Sequence, residues 1–429
     1  MPDYKKKKHS KLAPKPKRVK KSRIKQKEET AEIKMTPKPT KRNPSPPKQK
    51  MKVVKGKKGE NLRKLKIGAI AVAAVILIVT LFQIFLPIGV FDSLSNTVSL
   101  IGLGSYPIEL EGTQTLNCVN KNSYYYILNN SHISAYSTSG KKLFSYAHGF
   151  EKPVLKTSSS RALVFNQGSN QVLIFSLAKL KANFKTEKPI ITAAISDSGV
   201  YAIATYSDKY TAAVSVYNKR GKMIYEWYSA EDMVNNVAVS PNGKKIAVST
   251  FSAKVGKFNS KVSVLGFKSP TAQWSQNFEG SLVYEIDSSH RSYFAVTTSN
   301  KVQFVRWSGY KTNSYDNDYN MAFFRAGKGG YIAVFNREND KTDNRIAFFN
   351  KSGKLKAEIK YNGILSDIRT YGGHIYCMSE TDISLVNKEG EVMRKASCGF
   401  GAVKIAVTGS NSVAVITDNK IEKAELERE

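Results

Sequence analysis

The sequence is short of the residues that most often carry chemistry. Its 429 residues contain three cysteines, Cys118, Cys377 and Cys398, and five histidines. Three thiols cannot build a disulfide framework and none stands at metal-ligand spacing, which excludes a stapled scaffold and a zinc ribbon. Two readings of the cysteines stay open. Cys377 pairs with Cys398 in an oxidising compartment, or all three are free and buried, as cysteine commonly is. Such sparing use outside a membrane suits a bacterial surface better than a disulfide-rich secretory route. No two of His9, His132, His148, His290 and His374 share a ligand spacing. G-x-S-x-G, H-E-x-x-H and G-x-x-x-x-G-K-[ST] are all missing. No catalytic, cofactor-binding or metal residue is therefore assigned, and no cofactor is expected.

Charge is missing from one stretch. No Lys or Arg occurs between Ile67 and Asn120, and residues 67–91 (IGAIAVAAVILIVTLFQIFLPIGVF) carry no charge at all. At 1.5 Å rise per residue, about 20 such residues cross a hydrocarbon core of roughly 30 Å, so 67–90 reads as a transmembrane helix. The charged region before it is too long, and its apolar run exceeds that of a cleaved signal peptide. Arg63, Lys64 and Lys66 flank it on one side only. The positive-inside rule then puts residues 1–66 in the cytoplasm and the C-terminal domain outside a cell membrane crossed once.

Residues 1–60 lack aromatics apart from Tyr4 and hold eight of the 14 prolines. Residues 1–66 contain 26 of the 67 Lys and Arg against five of the 34 acids, so +21 of the formal +33 resides there. Such a segment cannot bury enough apolar surface to offset its ordering entropy and reads as a disordered polybasic tail. Its expected partner is anionic lipid, since each cation near such a surface contributes about 1 kcal/mol; nucleic acid is the less economical partner. Residues 91–105 form a juxtamembrane linker. Leu94, Val98 and Ile101 fall at helical spacing there, consistent with either an amphipathic stretch or a plain connector.

From about residue 106 no helical segment of any length is legible. Short runs of β-formers alternate with Gly, Asn, Ser and Asp, and one phrase recurs: AYSTSGKKLFSY (135–146), VYNKRGKMIYEW (216–227), FFNKSGKLKAEI (348–359) and LVNKEGEVMRKA (385–396). Asn218 and Gly221 suit a type I turn with a G1 bulge, so the phrase is a hairpin between third and fourth strands; a phosphate cradle would need a helix to follow. Four-strand units fit 115–149, 150–187, 188–231, 232–279, 280–318, 319–361 and 362–398. The period near 40 is that of β-propeller blades. Three further strands at 402–408, 412–418 and 421–426 need a fourth, which YPIELEG (106–112) can supply, closing the ring and removing a sheet edge. An all-β propeller over 106–429 is expected, with eight blades favoured and seven the alternative.

The remaining candidates carry bland readings. His290 (DSSHRS) and His374 (YGGHIY) occupy equivalent first-to-second-strand turns and read as solvated. DNDYN (316–320) begins like a calcium loop, but Met321 and Gly327 occupy its sixth and twelfth positions, where Gly and Glu are required. NRENDKTDNR (336–345), with Glu338, Asp340 and Asp343, reads as a polar loop, and RAGKGGY (325–331) as a turn. Tyr124–Tyr126, Trp227–Tyr228 and Phe323–Phe324 read mostly as core, with a few lining a glycan- or peptide-binding groove.

VAVSPNGKKIAVST (237–250) resembles the strand–turn–strand of WD40-like and TolB-like propellers, and VYNKRGKMIYEW resembles the hairpins of quinoprotein repeats. A basic tail, one anchor, GLGSYPIELEG and a propeller together resemble an uncharacterised, domain-of-unknown-function family of Gram-positive, Clostridia-type membrane proteins. That resemblance implies a fold and a location and no catalytic residues, and the quinone-pocket residues of quinoprotein dehydrogenases are not recognisable. The expected function is a non-catalytic binding scaffold for an extracytoplasmic protein or cell-wall glycan. The alternative is a ligand sensor or enzyme with its site in the central channel.

Overall fold

A computed structural model describes residues 69–70, 72–74, 97–121, 123–177, 179–254 and 256–428. The expected disordered tail and nearly all of the 67–90 span lie outside these residues, as do 91–96 of the linker. Among the described residues no helix is long and apolar enough to cross a membrane.

The described residues form eight four-stranded antiparallel sheets. Blade 1 consists of Thr115–Asn120, Tyr124–Asn129, His132–Ser137 and Lys142–Ala147. Blades 2 to 7 span 153–185, 190–229, 233–278, 285–316, 320–362 and 367–397, each in chain order. The second and third strands are sandwiched between neighbouring blades and buried on both sides, as in Tyr124–Asn129 and Arg161–Asn166. Outer strands wet one side and alternate, as in Leu180–Lys185. Small and β-branched residues fill the blade junctions. Val200, Val214 and Val216 of blade 3 pack with Val239, Ile246 and Val248 of blade 4.

The recurring phrase is the outer hairpin. Gly221 adopts φ 81° and its N–H donates to Asn218 O at 2.9 Å. The Asn218 side-chain oxygen accepts from the amides of Arg220 and Lys222, and the register slips by one residue at Val216/Tyr217, the bulge that the turn requires. Gly140, Gly353 and Gly390 repeat the positive φ. At Gly353 a Cβ would also lie 2.1 Å from the ring of Phe304, in the preceding blade.

Blade 8 settles the count at eight. Lys404–Gly409, Ser412–Ile416 and Lys420–Glu425 are completed by Ile108–Glu109 from the N-terminal side, in register Ile108↔Ile421 and Glu109↔Lys420. Of the expected strand at 106–112, those two residues pair. So short a clasp is reinforced by a buried polar staple. Arg369 of blade 7 donates to Asp367 Oδ1 at 2.8 Å, to Ile405 O of blade 8 at 3.0 Å and to Cys118 O of blade 1 at 3.1 Å. Asp367, fully buried, accepts the Ile405 amide at 3.1 Å. Asn120 bonds the backbone of Val407, and Thr115 bonds Thr417 O and Asp418.

The antiparallel order fixes two faces. First-to-second and third-to-fourth strand hairpins lie on one, called upper here. The other, lower face carries second-to-third strand hairpins and the connections between blades. The described linker residues come in on the upper side. Lys141, in the outer hairpin of blade 1, donates through Nζ to Ser99 O at 3.0 Å and to Ile101 O at 2.5 Å. Gly104 runs so close to the Gly140–Lys141 backbone that a Cβ would sit 2.0 Å from the Lys141 nitrogen. The linker touches the propeller through Leu100, which packs on the core of blades 1 and 2, while Val98 and Ile101 are exposed.

Candidate functional site

Inner strands of all eight blades surround a central cavity of about 1170 Å³, with Thr97 and Leu100 at its rim. Bases outnumber acids along its wall: Lys121, Lys156, Arg325, Lys328, Lys351, Arg369 and Lys404 stand against Asp197, Glu285 and Asp287. Burial pushes the Glu285 carboxyl above its ordinary range. Lys156 and Arg325 oppose that shift and Asp287 adds to it. Burial likewise lowers Lys121 against the pull of Asp197 and Asp287, and lowers Arg325. Two of the acids are held by backbone: Asp197 Oδ1 accepts from Ser159 N at 2.6 Å, and Asp287 Oδ1 from Ser289 N at 2.9 Å. A wall with bases in excess favours small polar solutes that carry negative charge over cations.

His290 belongs to this wall: it lies in the expected turn but is partly buried rather than freely solvated. Its Nε2 lies 3.1 Å from Gly330 O, its ring meets Tyr331 edge-on at 4.6 Å, and burial lowers its pKa, so the imidazole is neutral and donates through Nε2. The side chain fell in a turn by sequence; the neighbouring blade covers it. His374, at the start of a blade 7 strand, is half-exposed.

One arrangement is not legible in the sequence because Glu111 reaches the adjacent pair Ser131 and His132 only through the fold. Ser131 Oγ lies 2.9 Å from His132 Nδ1, and His132 Nε2 lies 3.6 Å from Glu111 Oε2, the order of a serine–histidine–carboxylate relay. However, the amides of Ser131 and His132 both donate to Asn129 Oδ1, at 3.0 and 2.6 Å, and the hydroxyl is 3.3 Å from the same oxygen. Those two amides are therefore committed and cannot hold an oxyanion, and the group caps a hairpin.

The carboxylate loops resolve separately. In DNDYN, Asp316 pairs with Lys301 at 3.0 Å, and Asn317 caps the Tyr319 amide. NRENDKTDNR is not a loop. It forms the tip of a long blade 6 hairpin, Gly330–Arg337 with Asp340–Asn350, in which Asp343 accepts from the Tyr319 hydroxyl at 3.0 Å and faces Arg337. RAGKGGY is a hairpin turn at 328–329. All three thiols are free and buried, and burial pushes Cys118 up to about 11 and Cys377 up to about 12.

Among the aromatic pairs, Tyr124 to Tyr126 and Phe324 are core, whereas Tyr228 is exposed. It lies on the lower face, where blades 3 and 4 both expose aromatic and apolar side chains. Tyr210 lies 4.8 Å from Tyr228 between ring centroids, and Phe251 lies 6.4 Å from Phe258 on the unusually long blade 4 hairpin, Lys245–Lys254 with Lys257–Gly266. Met233 is the register partner of Phe251. Tyr210 is 43% exposed, Phe258 49% and Met233 40%. The long hairpins of blades 4 and 6 flank the shorter blade 5.

The chain belongs to a family of unknown function, DUF5711, which matches residues 104–426. No curated protein matches it in sequence. In structure it is similar to the C-terminal WD40 domain of Sif2, at TM-score 0.51 and 9% identity, covering 76% of this chain and 100% of that one. It is also similar to BamB from Moraxella catarrhalis (0.48, 11%, 75% and 99%) and to the Cps50 (Swd1) β-propeller domain of Myceliophteria thermophila (0.46, 10%, 74% and 99%). At such identities the likeness is one of fold.

Proposed function

We propose that this protein is a membrane-anchored, extracytoplasmic β-propeller that acts as a non-catalytic binding scaffold for a cell-envelope protein or glycan, in a Gram-positive, Clostridia-type cell. The uncharged run at 67–91 and its one-sided flanking charge support the anchor and its orientation. The observation that carries the binding role is the lower-face patch around Tyr210, Tyr228, Met233 and Phe258, exposed apolar and aromatic groups on two adjacent blades. Rigid aromatics with a polar tip supply contact area at low entropic cost, and such residues dominate interfaces. WD40 architecture is a frequent host of such surfaces.

Photo-crosslinking in cells tests this. A crosslinker at Tyr210 or Phe258 should capture one defined envelope partner, whereas one at Ser308 on the upper face should not. Truncating a hot-spot aromatic costs about 2 kcal/mol or more, so if either ring is one, Tyr210→Ala with Phe258→Ala should weaken that complex more than tenfold. Unchanged recovery from the double variant would rule the patch out.

The charged cavity favours a second reading, a sensor of a small polar solute. Native mass spectrometry of the full chain would show a bound small molecule if that is its role, and Lys156→Gln would reduce its occupancy.

A further inference from the structure

The two faces of the disc differ in charge. On the upper face, exposed bases occupy the outer hairpins of successive blades: Arg220 and Lys222 in blade 3, Lys268 in blade 4, Arg306 and Lys311 in blade 5, and Lys354 in blade 6. The exposed acids within the upper turns, Glu389 and Glu391, both belong to blade 7. On the lower face Glu151, Glu187, Glu231, Glu279, Asp318 and Glu338 are exposed in turns and connections. Bases there are fewer, and several are engaged, as Lys188 is with Asp208 at 2.7 Å. The turn geometry does not require this division, because a type I turn with a G1 bulge accepts either sign at its exposed central positions.

A second observation says what the basic face meets. The chain joins the propeller on that same face, held by Leu100, by Lys141 and by the close passage at Gly104. The segment so held leaves three apolar side chains uncovered: Val98 at 62%, Ile101 at 70% and Leu103 at 93% exposure. Phe91, the last residue of the uncharged run, lies six residues before Thr97. Six residues span at most about 20 Å even when fully extended. That is two to three Debye lengths at about 8 Å each under physiological salt. Given the membrane anchor proposed above, on which this inference rests, this rim of the upper face cannot stand farther than that from the bilayer.

We propose that the upper face of the propeller is a docking surface for anionic phospholipid, with its hairpin lysines and arginines against the head groups and Val98, Ile101 and Leu103 in the interfacial layer. The disc then lies flat on the membrane as an oriented platform. Its acidic, aromatic-bearing lower face is repelled from the lipid and turned toward the partner. The attraction requires that the leaflet on the propeller's side contain anionic lipid, because neutral head groups offer the bases no counter-charge.

The test uses the full chain in nanodiscs containing a head-group-attached quencher, either of pure phosphatidylcholine or with a substantial share of phosphatidylglycerol. Fluorophores are attached at Ser308→Cys on the upper face and at Asn339→Cys on the lower, the native thiols being buried. Quenching at Ser308→Cys should exceed that at Asn339→Cys severalfold on anionic discs. It should fall to parity on neutral discs and at about 1 M salt, where the Debye length is about 3 Å. The triple variant Arg220→Glu, Lys222→Glu and Lys354→Glu should lose the difference while keeping its far-ultraviolet circular dichroism. Stronger quenching at Asn339→Cys, or quenching at Ser308→Cys indifferent to lipid charge and salt, would overturn the proposal. So would heparin binding at the upper label with no response to phosphatidylglycerol, which would assign the face to a soluble polyanion. Failure of the chain to incorporate into discs at all would instead sink the anchor, and is read independently by co-migration with lipid.

Discussion

Two regions of the ring hold neighbouring blades together by different means. Between blades 3 and 4 the junction is a nearly continuous layer of Ala, Val, Ile and Leu, including Val214, Val239, Ile246 and Val248. At the seam where blades 7, 8 and 1 meet, the apolar layer is supplemented by Arg369, Asp367, Asn120 and Thr115. The difference follows from covalent connection. Blades 3 and 4 are linked by chain and need only bury area. Blade 8 is closed by a two-residue strand from the other end of the domain, whose ladder is too short to specify register. Directional bonds between inner strands supply what the clasp lacks, and the dry surroundings raise the cost of leaving any one of them unmade.

The largest effect of substitution belongs to the seam. Arg369→Ala leaves buried Asp367 with only the longer contact to Arg325, at 3.8 Å, and should cost about 3 kcal/mol in chemical denaturation. A loss below about 1 kcal/mol, the range of exposed pairs, would mean that the staple adds little beyond packing. In the apolar junction, Ile246→Ala should cost about 2–4 kcal/mol by lost burial and a residual cavity, with no pH or salt dependence. Asn120→Ala, which strands the Val407 backbone, is expected to cost about 1–3 kcal/mol and to loosen the seam in hydrogen exchange before other junctions. Protection lost uniformly around the ring would erase the distinction.

A smaller effect should appear with pH. His148 is buried and neutral, its Nε2 donating to Asn129 O at 3.1 Å and its Nδ1 accepting from Phe150 N at 3.0 Å. Burial lowers its pKa, so the unfolded chain takes up the proton first. Its stability contribution is therefore complete above the unfolded value of about 6.5 and declines as pH falls through it. Thermal midpoints should drop from pH 7 toward pH 5, and His148→Gln should make the slope shallower. The smallest change is expected from Phe258→Ala, within about 0.5 kcal/mol because the ring is exposed. A large destabilisation there would show that the patch is part of the fold rather than free for a partner.

Much of this was legible from residue order. Asn218 and Gly221 announced a hairpin, its recurrence gave the blades, and three unpartnered runs after residue 402 pointed to closure by the segment near Ile108. The seam network was not read, although Asp367 and Arg369 stand two apart and hence on one side of a strand. Nothing local says that blade 1 will come within reach of them. His290 stands in the turn where it was expected, but its partial cover was not legible for the same reason, since Tyr331 and Gly330 arrive from the next blade. The exposed lower-face aromatics were half visible: Tyr228 stood out in the sequence, whereas Met233 and Phe258 of the next blade did not.

Local periodicity and turn chemistry act within a few residues, so the sequence by itself determined strands, hairpins, the repeating four-strand unit and the charge of each turn, while eight blades against seven was decided by the closed ring. Which turns share a face, which polar groups meet at the seam and which side chains the next blade covers depend on contacts tens to hundreds of residues apart in the chain. Closure of the ring decides these, because only then are the inner strands of all eight blades brought around one axis and the hairpins sorted to opposite sides of the disc.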